Sequence, residues 1–211
     1  MYNYPHYKEH DKKKILEFMQ NHPFITLIGT DKSGRIEATQ IPVLVEEKEG
    51  RLFIYGHIAK KSDHHQAFEE NPDALALFTG AHTYVSGTWY SGNPHQASTW
   101  NYISIHARGQ IKFLDEAGLV ELLKKLSLHF ENNNLTSSTI YDNLPGEYKE
   151  KLIKAILAFE LEVTEMDNVH KLSQNRDEKS YDNIVQQLKQ QEGDAKEIGE
   201  LMEKRKDQVF K

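Results

Sequence analysis

The stretch Tyr55-Gly56-His57-Ile58-Ala59-Lys60-Lys61-Ser62 has the residue types to hold a phosphate. It lies where a predicted strand gives way to a predicted helix. Two ammonium groups and a hydroxyl there can meet an anion, helped by the positive end of the helix. Gly56 lets a flat ligand approach the backbone. Taken alone, the stretch also reads as two solvated surface lysines beside a turn. A second stretch, Thr39-Gln40-Ile41-Pro42, interrupts a strand with proline. Proline cannot donate to a ladder, so its neighbours either offer backbone groups to a ligand edge or mark an ordinary edge strand with a bulge. A third, Lys171-Leu172-Ser173-Gln174-Asn175, combines a cation, amides and a hydroxyl; as composition it is a polar loop.

Other chemistries are excluded or weak. The chain lacks G-x-G-x-x-G, the Walker A pattern, a G-x-S-x-G elbow and H-E-x-x-H. It has no cysteine, which removes thiolate metal sites, Cys nucleophiles and disulfides. Its 11 histidines invite a metal reading, but His64 and His65 are adjacent and point apart, and His6 and His10 lie in a segment with no clear period. No metal site is predicted. His82 and His106 flank central strands and read as hydrogen-bonded or interface residues. Tyr84, Trp89, Tyr90, Trp100 and Tyr102 form a dense aromatic run among Ser, Gly, Asn and Thr. Core packing, a dimer interface and a wall for a flat cofactor all favour such residues.

The 211 residues suffice for one full domain, with or without a helical appendage. Lys and Arg number 26 against 32 Asp and Glu, a net charge of −6, which argues against a generic nucleic-acid binder while leaving room for a local basic patch. No apolar run approaches the ~20 residues of a membrane span, and the start lacks the apolar core of a signal peptide. The expectation is a soluble cytoplasmic protein.

The elements that must position these residues follow from periodicity. Asp11 caps a helix to about Asn21. Strands are predicted over Phe24–Thr30, Ile36–Val45 and Arg51–His57, joined as an antiparallel meander through turns at Asp31–Gly34 and Glu46–Gly50. A helix spans Ser62–Asn71, and short strands follow at Ala74–Thr79 and Thr83–Thr88. Ser91-Gly92-Asn93-Pro94 is a loop. Trp100–Phe113 alternates with strict period two: Ile103, Ile105, Ala107, Gly109, Ile111 and Phe113 share one face. Asp115 caps a helix bearing a leucine stripe. Pro145 opens another. Phe159, Leu161 and Val163 mark a final strand. Ser180 and Asp194 are predicted to cap helices at roughly 181–191 and 195–206. Strands first and helices last describe an α+β fold, and short antiparallel strands favour a closed or nearly closed barrel of about six or seven strands.

Taken together, these stretches resemble the PaiB family of FMN-binding negative transcriptional regulators. The similarity rests on Met1-Tyr2 with Pro5, His22-Pro23-Phe24, Thr39-Gln40-Ile41-Pro42 and Gly56-His57-Ile58-Ala59-Lys60. It continues through Tyr84-Val85-Ser86, Trp89-Tyr90, Thr99-Trp100-Asn101-Tyr102 and Lys171-Leu172-Ser173-Gln174-Asn175. The motifs occur in the family's order over nearly the whole chain. The resemblance implies an FMN-binding split β-barrel related to pyridoxamine-phosphate oxidases, with flanking and C-terminal helices, acting as a homodimer with FMN at the subunit interface. It implies a barrel domain over 1–175 and a helical extension over 176–211. It puts the FMN phosphate near Thr39, Lys60, Lys61 and Ser62, and the isoalloxazine against Gln40, Ile41, Gly56, His57 and Ile58. Trp100, Lys171 and Gln174 complete the pocket, with the partner subunit as their candidate source. The chain departs from the family at Gln40, where His is usual, and at Lys60, where Arg is usual. Lysine keeps the charge but loses the bidentate fork.

Three functions follow from that resemblance. One is an FMN-binding regulator that acts indirectly, because no helix-turn-helix is present and the charge is acidic. Another is a flavin-dependent oxidoreductase, with the flavin carrying the electrons and His57 as the acid or base candidate. The third is an interaction barrel without cofactor. A haem-handling barrel ranks behind these, since no histidine is marked as an axial ligand. None involves a membrane.

Overall fold

A computed structural model describes residues 2–92 and 95–210; Met1 of the family-like start, Asn93 and Pro94 of the predicted loop, and Lys211 lie outside the described residues. The chain forms two compact units that interleave in sequence. The barrel unit comprises Leu16–Phe78 and His106–Met166; the helical unit comprises Met1–Ile15, Thr79–Ile105 and Asp167–Lys211. The elements run α1 (Lys12–Asn21), β1 (Phe24–Thr30), β2 (Ile36–Pro42), β3 (Leu44–Lys48), β4 (Arg51–Ala59), α2 (Asp63–Glu70), β5 (Asp73–Val85) and β6 (Thr99–Phe113). There follow α3 (Glu116–Phe130), α4 (Gly146–Ala155), β7 (Ile156–Lys171), α5 (Glu178–Lys189) and α6 (Asp194–Val209). This is the α+β class, with a seven-stranded sheet in the order β2-β1-β5-β6-β7-β4-β3.

Pro42 and Val43 turn that sheet into a barrel. The predicted single strand over Ile36–Val45 is two strands, and β2 and β3 lie at opposite ends of the sheet order although only Val43 separates them. A chain cannot reach both ends of a sheet through one residue unless the sheet curls until its ends meet. Both antiparallel joins of the predicted meander form, but its middle strand is split at Val43. β2 pairs with β1 from Thr30↔Ile36 to Phe24↔Pro42, whereas β3 pairs with β4 from Lys48↔Arg51 to Leu44↔Tyr55. Val43 N–H donates to the Pro23 carbonyl at 2.9 Å, which anchors the crossover. The β3–β4 turn is tighter than expected, with Glu49 and Gly50 both at positive φ (52° and 75°), as a two-residue hairpin requires.

Alternation fixes which faces are buried. Ile25 and Leu27 of β1, Ile54 of β4, Phe78 of β5 and Phe159 and Leu161 of β7 lie in the barrel core with almost no exposure. The α3 stripe of Leu119, Leu122, Leu123 and Leu126 packs against Phe53, Tyr55, Tyr141 and Ala158. Asp115 caps α3 as predicted, its Oδ1 accepting from Gly118 N–H at 2.9 Å. Two predicted strands at Ala74–Thr79 and Thr83–Thr88 are one, β5, because Gly80 is accommodated within it.

In the helical unit, α5 and α6 bury Tyr181, Ile184, Leu188, Ile198 and Met202. The predicted caps shift. Asp177 caps α5, accepting from Ser180 N–H at 2.9 Å, so Ser180 is inside the helix. Gly193, at φ 60°, precedes α6, which places Asp194 at its first residue.

Candidate functional site

The predicted residues fall into two groups, one in each unit. In the barrel unit, Thr39, Gln40 and Ile41 lie on β2, which ends the sheet order and is paired only with β1. Gly56, His57 and Ile58 lie on β4. There β7 pairs from Phe53↔Glu162 to Ala59↔Ile156, but β3 stops at Tyr55. One edge of β4 therefore has no strand beside it from Gly56 onward. β2 and β4 approach each other there without pairing, and α2 packs on β1, β2 and β4. Two strand edges facing a gap, with a helix over them, leave backbone N–H and C=O groups for a flat ligand edge.

The side chains around this gap are unevenly satisfied. His64 of α2 is buried, stacks on Phe68 with ring centroids 4.4 Å apart, and shares a 2.8 Å hydrogen bond between Nδ1 and Thr39 Oγ1. Its Nε2 is buried and has no partner among the described residues, and the same holds for Nδ1 of His57. Burial pushes both imidazoles below their ordinary pKa, so both are neutral at pH 7. A neutral imidazole has one donor and one acceptor nitrogen. Whichever of Thr39 and His64 donates, His64 Nε2 takes the other role and lacks its complement. Orphaned buried nitrogens of this kind cost stability unless something completes them.

The lysine segment is more committed than its sequence suggests. Lys60 Nζ donates to the Ile153 carbonyl at 2.8 Å and its backbone N–H to Ala155, so it fastens the end of α4. Ser62 caps α2, its Oγ accepting from His65 N–H at 3.2 Å. That hydroxyl donates its one proton to the Ala59 carbonyl at 2.8 Å. Lys61 is exposed, with φ 63°, and its N–H donates to His65 Nδ1 at 3.0 Å. A non-glycine residue in the left-handed region concentrates at functional turns. Gly56 serves packing: an added Cβ would lie 2.7 Å from the Phe159 ring and 3.2 Å from Val43.

In the helical unit, Trp100 is 52 % exposed and meets Tyr84 edge-on at 6.1 Å and His82 at 6.1 Å, a ladder of exposed aromatic residues. Gln174 is spent within its own turn: Nε2 donates to the His170 carbonyl at 2.5 Å and Oε1 accepts from Leu172 N–H at 2.7 Å. Ser173 sits at φ 61° and donates to Asn101 Oδ1 at 3.0 Å. Leu172 is fully buried. The Lys171–Asn175 signature is thus chiefly a wired turn, from which the Ser173 hydroxyl reaches Asn101 and the Lys171 ammonium reaches Thr99 Oγ1. Sequence reasoning did not single out Arg176, nor His64 as a Thr39 partner; the 25-residue separation of Thr39 and His64 leaves no local signal.

Among the described residues no group of three or more His, Cys, Asp or Glu side chains could hold a metal, and no helix is long and apolar enough to cross a membrane.

The comparisons agree with this architecture. A family model described as "Putative FMN-binding domain" matches residues 1–165. Protease synthase and sporulation protein PAI 2 of Bacillus subtilis is 33% identical over 208 residues, covering 96% of this chain and 97% of that protein. Among solved structures, a conserved hypothetical protein of Mycobacterium tuberculosis aligns with TM-score 0.58 at 10% identity, over 81% of this chain and 91% of its own. The FAD and heme binding protein of Mycobacterium smegmatis aligns with TM-score 0.54 at 16% identity, over 77% and 72%. At such identities these two structures show a shared fold alone. With a relative matched end to end, a family model over most of the length, and a sheet whose two ends meet around an unpaired gap, the chain belongs to the PaiB family of FMN-binding proteins.

Proposed function

We propose that the gap between β2 and β4 is where this chain holds FMN. The observation that carries the reading is the pair of buried imidazole nitrogens, His57 Nδ1 and His64 Nε2, that no protein group completes. Backbone at Gln40, Ile41, His57 and Ile58 meets the ring edge. Thr39 orients His64. Lys61 supplies the free cation for the phosphate, beside the first turn of α2. Lys60 and Ser62 support the turn, because their donors are directed to carbonyls. When bound, FMN supplies hydride and single-electron chemistry; the chain contributes position, exclusion of water and fixed tautomers.

The test is an FMN titration of the full chain, followed by flavin fluorescence and absorbance. Saturable binding is expected, weakened about tenfold by Lys61→Ala through loss of a charge-assisted contact. No binding at high FMN overturns the reading and favours a cofactor-free interaction barrel.

The protein acts as a homodimer in this proposal. The exposed ladder of His82, Tyr84 and Trp100 supports that, since aromatic faces of this kind are commonly covered. A monomer by sedimentation at micromolar concentration would remove it. The regulatory role is indirect, through flavin state or a protein partner, because a net charge of −6 opposes a duplex of phosphates. A tight, sequence-specific shift of duplex DNA at physiological salt would contradict this.

A further inference from the structure

The helical unit holds two cations whose charge no carboxylate balances. Lys171 and Arg176 are both half-buried. The Lys171 ammonium donates to Thr99 Oγ1 and lies 5.5 Å from the centre of the Tyr2 ring. Arg176 Nη1 donates to Gln96 Oε1 at 2.6 Å, and the guanidinium stacks 3.9 Å from the centre of the Tyr90 ring. All four partners are neutral. Among the described residues neither cation has a carboxylate oxygen within 4.0 Å. Asp177, next in sequence, aims its oxygens at Ser91 and Ser180 instead. Burial holds the Lys171 ammonium below its usual pKa, and the Arg176 charge lowers it further. Tyr90 adds an independent sign: it is 9 % exposed, and its hydroxyl is buried with no hydrogen-bond partner.

Two cations, partly desolvated and without a counter-ion, are unfavourable until an anion arrives. The donor set suits one kind of anion. Arginine offers a planar fork, lysine a point charge and tyrosine a hydroxyl, which together match the oxygens of a phosphate. We infer that Lys171, Arg176 and Tyr90 form a binding site for an oxyanion of phosphate type. Two sources share that chemistry: the acid group of a separate small ligand, or the flavin phosphate, which would then sit here and not at Lys61.

Isothermal titration with inorganic phosphate, at low and constant ionic strength, tests the site. The full chain carrying Lys61→Ala is used, so that the proposed flavin-phosphate contact does not contribute and its failure is read separately. Saturable phosphate binding is expected. Arg176→Gln and Lys171→Gln should each weaken it at least tenfold, and Tyr90→Phe a few-fold. Without phosphate, Arg176→Gln and Lys171→Gln should unfold at or above the parent temperature, since each removes an uncompensated cation; a merely structural pair would lose stability. Should one variant fail to fold, the other carries the test. Absent phosphate binding, or binding unchanged in both charge variants, overturns the site. Competition by FMN but not by riboflavin assigns the flavin phosphate as the source. Phosphate binding that persists under saturating FMN assigns a separate ligand.

Discussion

In the helical unit the Glu9 carboxylate is buried and crowded with partners. One oxygen accepts from the His10 and Asp11 N–H groups, each at 3.0 Å, and the other from Arg205 Nη1 at 2.5 Å. The Glu9 backbone exchanges two hydrogen bonds with the Asn168 amide, at 2.8 and 3.0 Å. In the barrel unit, His57 Nδ1 and His64 Nε2 are buried with no hydrogen-bond partner among the described residues. Both regions take polar atoms out of water, and both bear that cost. Glu9 recovers it from the chain itself, so its network holds residues 8–11 to the end of β7 and to α6. The imidazoles do not, and under the proposed function FMN completes them. The difference separates polar groups that the fold satisfies from polar groups that it leaves open.

The largest effect should come from breaking the Glu9 network, in which Arg205 Nε lacks a partner among the described residues. Arg205→Ala leaves the Glu9 carboxylate buried and unpaired, and should cost about 3–5 kcal/mol of stability. Denaturant unfolding measures this directly. A loss under about 1 kcal/mol would mean that water replaces the guanidinium, and the comparison between the units would fail.

Gly56→Ala comes next. The added methyl meets the Phe159 ring and Val43, both buried in the barrel, and overpacking of that kind costs about 1–3 kcal/mol. The destabilisation should appear without flavin. Unchanged stability in the absence of flavin, with FMN binding lost, would instead restore glycine as a platform for the ring.

Acid should separate two buried groups of the helical unit by titration. Burial and the Arg205 charge push His170 down to about 4, from 6.5. Its folded value is depressed, so the unfolded chain takes up the proton first as pH falls. Stability from neutral His170 is present above about pH 6.5 and is lost as pH falls toward about 4. Burial alone would raise Glu9, but the Asp11 N–H and Arg205 outweigh it and hold the carboxyl at about 2, from 4.5. Its contribution is present above about 4.5 and fades as pH falls toward 2. A melting-temperature profile should therefore decline in two stages, and His170→Gln should flatten the upper one. An unchanged upper stage in that variant would assign it to other groups.

What the sequence revealed tracks how local the causes are. Period two over Trp100–Phe113 and the Asp115 cap are encoded within a few residues, and both elements form where expected. Barrel closure is not local: Pro42 marks a break, but nothing near it states that β2 and β3 end on opposite edges of the sheet. The α5 cap moved from Ser180 to Asp177 because apolar periodicity begins at Tyr181 while the helix starts a turn earlier, on polar residues. At the site, the chemistry of Lys60, Lys61 and Ser62 was legible but its allocation was not. Which lysine is spent on a carbonyl depends on where α4 ends, some 90 residues away in the chain.

The smallest change in stability should accompany an informative change in binding. His64→Leu keeps much of the volume against Phe68, deletes the orphaned Nε2 and leaves the Thr39 hydroxyl to find a new partner. Losing the Thr39 hydrogen bond costs about 1 kcal/mol, and losing a buried unpaired nitrogen returns a similar amount, so the unliganded chain should change little. FMN affinity should fall about tenfold, or about 1.4 kcal/mol, because the atom that the ligand would complete is gone. Side-by-side melts and FMN titrations of wild type and His64→Leu decide it. A large loss of stability with normal flavin affinity would make His64 a structural residue like Glu9. Near-constant stability with weakened binding would place the imidazole, and with it the β2–β4 gap, on the ligand's side of the comparison.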